Sequence, residues 1–318
     1  MSELGRRAFF SRFFSGASTI AEAAGVPTMT RALPRRQLGN TGEAVPILGL
    51  GTASLGRGVA DDEAAKILNR ALDLGVNYID TAPDVGGYGR AQLQIGRALA
   101  GRRDEIFLVT KTFEPHGDDA RKLLEQNLRE LRVDSVDLLY VHSLGHDKMD
   151  PAAVFGDDGV YSMAMRAKEE GLTRFVGVSG HNRPQRFVNA IANYDFDVLM
   201  NAVNFVDVHT YNFENMVWPF ALRRGVALVA MKVFGGINGA GHTPAMMPRA
   251  YHDQAFRYAL SLDGCATAVI GVSSMQELEE NVRRARAFQP LTLDEQEDLR
   301  SAGRIMAERW GAHLGAVD

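Results

Sequence analysis

VPILGLGTASLGRG, residues 45–58, holds the choice between two folds. An apolar run closes on glycines and more glycines follow, which is how the first strand of a doubly wound dinucleotide-binding sheet begins. That fold needs G-x-G-x-x-G opening a helix directly after the strand, so that backbone N–H groups meet a pyrophosphate. Here the glycines fall at Gly49, Gly51, Gly56 and Gly58, and they do not open a helix at that spacing. The stretch reads as a buried strand running into a loop, and the pattern around it decides the rest.

That pattern alternates. Apolar, β-branched runs recur at 45–51, 76–80, 106–111, 136–142, 174–180, 197–202, 226–232 and 267–272. Segments of helical spacing lie between them. DDEAAKILNRALDLG (61–75) puts Ala64, Ile67, Leu68, Ala71 and Leu72 on one stripe and stops at Gly75. ARKLLEQNLRELRV (120–133) repeats this with Leu123, Leu124, Leu128 and Leu131. Near-continuous apolar strands alternating with helices imply a parallel sheet covered by helices. Eight such units fit a closed (β/α)8 TIM barrel, an α/β fold of roughly 250 residues; the open doubly wound sheet is the runner-up. The expected division is an N-terminal extension over 1–34, one barrel domain over 35–311 and a C-terminal tail over 312–318.

Composition narrows the function classes. With 46% hydrophobic and 23% charged residues and a net charge of −4, the chain is an ordinary globular protein without a field that recruits nucleic acid or anionic membrane. Its single cysteine, Cys265, allows neither an intrachain disulfide nor a cysteine-rich metal site. No apolar run approaches the ~18–20 residues that cross a bilayer. The N-terminus carries Arg6–Arg7 followed by Phe9, Phe10, small residues and an AEA tripeptide, which resembles a twin-arginine export signal. Arg12 and Glu22 interrupt its apolar stretch. The expectation is therefore a cytoplasmic protein, with export by the twin-arginine route as the alternative. Between Lys232 and His252 lie about twenty residues rich in Gly, Pro and Met, expected to form a binding loop or lid beside a site.

In a barrel of this type the active site sits at the C-terminal ends of the strands. Read there, the polar residues are Asp80, Lys111, His142, Ser179, Asn201 and Lys232. One of them would be a turn or cap residue; six closing successive apolar runs describe a rim. A lysine and an aspartate from adjacent strand ends can pair, and the ammonium then favours ionisation of a nearby tyrosine, lowering its pKa from ~10. Tyr88, in the Gly-rich loop after Asp80, is the candidate general acid. A histidine beside it can orient a carbonyl oxygen. Together they protonate a ketone or aldehyde as a hydride arrives from a cofactor.

These residues resemble the aldo-keto reductase family, and the resemblance runs from Arg35 to about Leu299. RRQLGNTGEAVPILGLGT is similar to the family's opening hairpin and first strand. NYIDTAP, FLVTKT, VDLLYVHSL and RFVGVSGHN are similar to its Asp, Lys, His and carboxamide-binding motifs, in order. The resemblance implies that Asp80, Tyr88, Lys111 and His142 are catalytic. It implies cofactor contacts at Gly51, Thr52, Ser179, Gly180, His181, Asn201, Lys232, Gly271, Ser273, Ser274, Glu280 and Asn281, and no metal. Met200 or Asn201 stands where a glutamine under the nicotinamide ring is usual, and Asn204 resembles a family asparagine. The implied cofactor is NADP(H), with NAD(H) the second candidate, and the implied partner is a small carbonyl or alcohol.

Two departures matter. The family tyrosine comes five residues after the aspartate, where this chain has Val85; a three-residue insertion would restore it at Tyr88. In GVSSMQELEEN (271–281), Ser273 and Glu277 occupy positions where a basic clamp on a 2′-phosphate is common. Val85 leaves open a second reading, a nicotinamide-binding barrel with little turnover that acts as a sensor or regulatory subunit. His146 and Asp147 lack the second cluster that a metal site would need. His181 either lines the cofactor pocket or caps the helix beginning at Pro184.

Overall fold

The computed structural model describes residues 32–236 and 245–318. A hairpin of β1 (Arg35–Gln37) and β2 (Ala44–Pro46) precedes eight parallel strands. These are β3 (Leu48–Gly51), β4 (Tyr78–Asp80), β5 (Phe107–Thr112), β6 (Val136–Val141), β7 (Thr173–Gly180), β8 (Val198–Ala202), β9 (Ala227–Met231) and β10 (Cys265–Gly271). They pair in sequence order and β10 closes on β3, a complete barrel wrapped by helices. The run at 45–51 therefore serves two elements. Val45 and Pro46 pair back to the hairpin, and only Leu48–Gly51 enters the barrel.

The hairpin lies across the N-terminal ends of the strands. Leu38 and Val45 join the inner cluster with Tyr78, Phe107, Leu138 and Val198, while Arg36 donates to the Leu260 and Cys265 carbonyls at 2.8 and 2.6 Å. The outer layer is the larger core. The stripe Ala64, Ile67, Leu68, Ala71 and Leu72 is buried on the Asp61–Asp73 helix, and Leu123, Leu124, Leu128 and Leu131 on the Gly117–Leu131 helix. Each buried leucine or isoleucine among them stabilises by about 1.5–3 kcal/mol.

Helices differ from the sequence pattern in two places. MVWPFALRRG (216–225) has the apolar content of one helix, but Phe213–Met216 and Trp218–Arg223 are separate turns, because Pro219 supplies no N–H and fits only at a helix start. A last helix, Leu293–Trp310, carries a full capping box in which Thr292 and Glu295 satisfy each other's backbone N–H groups.

Beyond it the chain turns back onto the C-terminal face of the barrel. His313 Nε2 lies 2.8 Å from Asp207 Oδ1, and the Leu314 N–H donates to the Tyr211 hydroxyl at 2.7 Å. The stretch of Arg6, Arg7, Phe9 and Phe10 and the export reading lie outside the described residues, as does the middle of the 233–251 segment.

Candidate active site

Strand register brings the rim together. Gly51 pairs with both Asp80 and Gly271, Asp80 with Val109, Lys111 with Tyr140, and Gly180 with Asn201. The strands thus end level, and their last side chains surround a cavity of about 540 Å³. Asp80, Tyr88, His142, His181, Lys232, Gly51 and Gly271 line it. The described ends of the 233–251 segment, Val233–Gly236 and Met246, line it as well. A second hollow of about 430 Å³ on the outer helices, between Pro151, Phe155, Arg186 and Tyr194, holds none of these groups.

At the base of the main cavity Lys111 Nζ donates to Asp80 Oδ1 at 2.6 Å and to the Thr81 carbonyl at 2.8 Å, with both charged side chains almost fully out of solvent. The Tyr88 hydroxyl donates to the other carboxylate oxygen, Oδ2, at 3.0 Å. Val85, five residues after Asp80, is 56% exposed at the rim. The loop after β4 thus leaves Val85 exposed on the cavity rim and turns the Tyr88 hydroxyl in to Asp80. Gly56 makes this possible, since a Cβ there would stand 1.9 Å from the Tyr88 carbonyl oxygen.

One expectation is corrected here. On balance the tyrosine pKa is raised, not lowered. Lys111 Nζ sits 4.8 Å from the centroid of the Tyr88 ring, over its face, while the phenol proton goes to Asp80. Burial, then the Asp80 charge and hydrogen bond, push the phenol well above its usual value. Tyr88 is therefore held protonated. Burial also pulls the Lys111 ammonium below the lysine range, opposed by Asp80.

His142 Nδ1 lies 2.8 Å from Ser179 Oγ, and its ring meets His181 edge-on at 6.0 Å between centroids. Burial, then the Lys111 charge, push His142 well below the histidine range. Burial, then the Lys232 charge, do the same to His181. Both rings are neutral at pH 7. His181 lines the cavity, and Arg183 rather than His181 is the N-cap of the Pro184–Asn193 helix. His146 and Asp147 are engaged locally: the ring accepts from the Lys148 N–H at 3.0 Å, and the carboxylate pairs with Arg183 at 2.6 Å.

The remaining candidates lie further out. Thr52, buried, donates to the Asp80 carbonyl at 2.9 Å. Asn201 donates to the Gly180 carbonyl at 3.2 Å, and its Oδ1 is buried without a partner. Asn204 is a bracket: it donates to Asp207 and to the Lys232 carbonyl and accepts from two N–H groups of its own turn. Lys232 stands just past β9 with φ 55°, a left-handed conformation held by that bond. Ser273 and Ser274 lead into the Met275–Arg286 helix and Glu280 and Asn281 lie midway along it, all outside the cavity lining.

At that helix start Ser274 accepts from the Glu277 N–H at 3.2 Å. The Glu277 carboxylate accepts from the Ser273 N–H and hydroxyl at 2.7 and 2.9 Å. The chain's own anion thus occupies the helix N-terminus, an end that favours negative charge. Arg284 does not face solvent as its helical position suggests; it pairs with Asp253 at 2.6 Å and Glu280 at 3.7 Å and donates to Asn281 Oδ1 at 2.9 Å.

Sequence reading missed a buried amide network behind the rim. Asn127 donates to the Lys111 carbonyl at 2.9 Å, Gln92 to Asn127 at 3.0 Å, and Thr110 to Gln92 at 2.7 Å. It ties the strand of Lys111 to the helix that follows Tyr88. The available signal was an asparagine on the leucine stripe of the Gly117–Leu131 helix. Arg57, Phe113 and Met246 of the lining were also missed.

A nicotinamide cofactor fits these residues on two observations. The unpartnered Asn201 Oδ1 is an acceptor for a carboxamide N–H. Gly51 and Gly271 lie side by side with no side chain between them, so that bare backbone faces the cavity.

Comparison with known proteins points the same way. The family model described as "Aldo/keto reductase family" matches residues 47–243. The chain is 24% identical to L-galactose dehydrogenase of Arabidopsis thaliana, over 82% of this chain and 91% of that protein. It is 28% identical to D-threo-aldose 1-dehydrogenase of a Pseudomonas species, over 61% of this chain and 67% of that protein. Among solved structures, an aldo-keto reductase of Bacillus halodurans in its holo form superposes with a TM-score of 0.68 at 25% identity, covering 85% of this chain and 96% of that one.

Proposed function

The chain belongs to the aldo/keto reductase family, and on that premise we propose that it interconverts a carbonyl compound and its alcohol with Tyr88 as the proton donor. The observation that carries this reading is the Tyr88 hydroxyl held 3.0 Å from Asp80, on the carboxylate that Lys111 grips at 2.6 Å.

A bound nicotinamide cofactor supplies the hydride. Asn201 and Ser179 would hold its carboxamide, with Gly51, Thr52, Gly180 and His181 along the ring and ribose. Lys232 and Gly271 would meet the pyrophosphate, and the 273–281 helix start the adenosine end. Tyr88 is kept protonated by burial and by Asp80, the state an acid requires. Neutral His142, its Nδ1 engaged by Ser179, retains Nε2 to hydrogen-bond the carbonyl oxygen. As negative charge develops on that oxygen, the Tyr88 proton moves to it, and the Lys111 ammonium over the ring offsets the charge left on the phenol. Phe113, Phe234 and Met246 give the cavity its apolar wall and exclude water.

For the cofactor, NADPH is accepted and NADH is a working second, because Glu277 occupies the helix start that a 2′-phosphate would use. The two curated relatives are named for dehydrogenation of L-galactose and of a D-threo-aldose, so sugars belong beside simple aldehydes and ketones on the substrate panel. The test is a fluorescence titration with both reduced cofactors followed by that panel, read at the nicotinamide absorbance band. A barrel that binds cofactor and turns over no carbonyl would be the sensor instead.

A further inference from the structure

Two cations line the cavity, Arg57 and Lys232, against one carboxylate, Asp80. Asp80 is already closed off by Lys111. His142 and His181 add donors but no charge, since burial first and neighbouring lysines second hold both below their ordinary range. Among the described residues the lining is therefore positive. The cofactor pyrophosphate would take up Lys232, and a neutral carbonyl substrate has no use for the charge of Arg57.

Lys232 belongs to the side where β9 and β10 end, beside Gly271. Arg57 is near enough to Lys232 that its charge, after burial, helps to hold that ammonium below the lysine range. It sits in the Ala53–Gly58 turn that packs on the loop of the acid: Arg90 N donates to the Gly56 carbonyl at 3.0 Å, and a Cβ on Gly89 would stand 3.4 Å from Arg57 Cγ. The Tyr88 phenol registers its charge. Burial and Asp80 push the phenol up, and Arg57 is the cation that works against them. Its one hydrogen bond is Nε to the Ala53 carbonyl of its own turn at 3.3 Å, and among the described residues it meets no carboxylate. A guanidinium at the rim beside the proton donor, with its terminal nitrogens uncommitted, has the planar fork that receives a carboxylate with two bonds.

We propose that the substrate carries a carboxylate in addition to its reducible carbonyl, and that Arg57 binds it at the cavity rim. This rests on the carbonyl-reduction reading above and names the substrate class of the same site. Arg57 is a specificity residue, and its effect belongs in the Michaelis constant.

The test compares succinate semialdehyde with butanal, two four-carbon aldehydes that differ in the carboxylate, with wild type, Arg57→Gln and Arg57→Lys. Wild type is expected to favour the acid in kcat/KM by roughly ten- to hundredfold, the worth of a charge-assisted bond. Arg57→Gln is expected to lose that advantage through a raised KM, Arg57→Lys to keep most of it, and the dissociation constants of the reduced cofactors to stay where they were. Equal use of the two aldehydes by wild type overturns the inference and leaves carbonyl reduction standing. Loosened cofactor binding in Arg57→Gln, with the acid preference intact, assigns the guanidinium to a cofactor phosphate and also overturns it. No turnover of any carbonyl refutes both readings together.

Discussion

Lys111 Nζ and Asp80 Oδ1 meet at 2.6 Å with almost no solvent on either side chain, and the same carboxylate receives the Tyr88 phenol. The pair is therefore both a buried ion pair and the base of the proton donor. Removing one partner leaves the other buried and uncompensated, which destabilises by about 3–5 kcal/mol. Lys111→Met should lose carbonyl reduction and lower the urea midpoint together. Full activity in that variant would remove the ion pair from the mechanism.

Asp80→Asn probes the other half. The Asp80 charge helps to raise the phenol, so the neutral variant should bring the Tyr88 ionisation down toward the ordinary ~10. Wild-type reduction then stays level on the alkaline side where the variant declines. The loss at pH 7 should be smaller than in Lys111→Met. Superimposable pH–kcat profiles would show that Asp80 does not act on the phenol.

Glu277 makes the cofactor preference testable. Its carboxylate holds the Ser273 N–H and hydroxyl at the helix start. A 2′-phosphate there must displace it or go without a charge-assisted bond, a loss of ~1.5–3 kcal/mol per bond. NADPH and NADH dissociation constants should fall within about a hundredfold of each other. Glu277→Gln should tighten NADPH and leave NADH almost unaffected. A preference for NADPH beyond about a thousandfold in wild type would mean that Arg249 or Arg284 reaches the phosphate.

Much of this arrangement was legible in the chain, for identifiable reasons. Eight apolar runs gave the strand count, because a parallel sheet buried on both faces leaves no polar alternation to confuse the pattern. The stripe at Ala64, Ile67, Leu68, Ala71 and Leu72 lies buried as its spacing requires. Asp80, Lys111 and His142 could be placed on one rim because they close successive strands. Partners across the barrel could not. Nothing in the order of residues says that the phenol faces Asp80 and shows Lys111 its ring, which reverses the expected direction of the tyrosine pKa. Nor does it say that Ser179 engages His142, or that Glu277 turns back on Ser273. Those contacts depend on how the barrel closes. The Leu293–Trp310 helix was within reach of sequence, since Thr292 and Glu295 spell its capping box.

Away from the site, Glu214 predicts how stability varies with pH. Burial raises its carboxyl to about 7, against the lowering effect of the Tyr258 hydroxyl bond and the Arg300 charge. The folded state thus holds a proton that the unfolded chain releases at an ordinary glutamate pKa. Stability from this group is complete below the unfolded pKa and declines as pH rises to about 7. The decline is at most on the order of 3 kcal/mol, reduced by screening at the solvent edge of the side chain. Glu214→Gln should flatten the urea midpoint between pH 5 and pH 8. An unchanged slope would assign the pH dependence elsewhere.

The proton donor is tested most directly by the rate at which reduced cofactor is consumed with a saturating aldehyde, in wild type and in Tyr88→Phe. The substitution removes one hydroxyl and keeps the ring that Lys111 covers. Cofactor affinity should be unchanged, and turnover should fall by the ~10²–10⁴-fold that a positioned general acid contributes. Near wild-type turnover in Tyr88→Phe would mean that another group gives the proton and that Tyr88 only packs the loop.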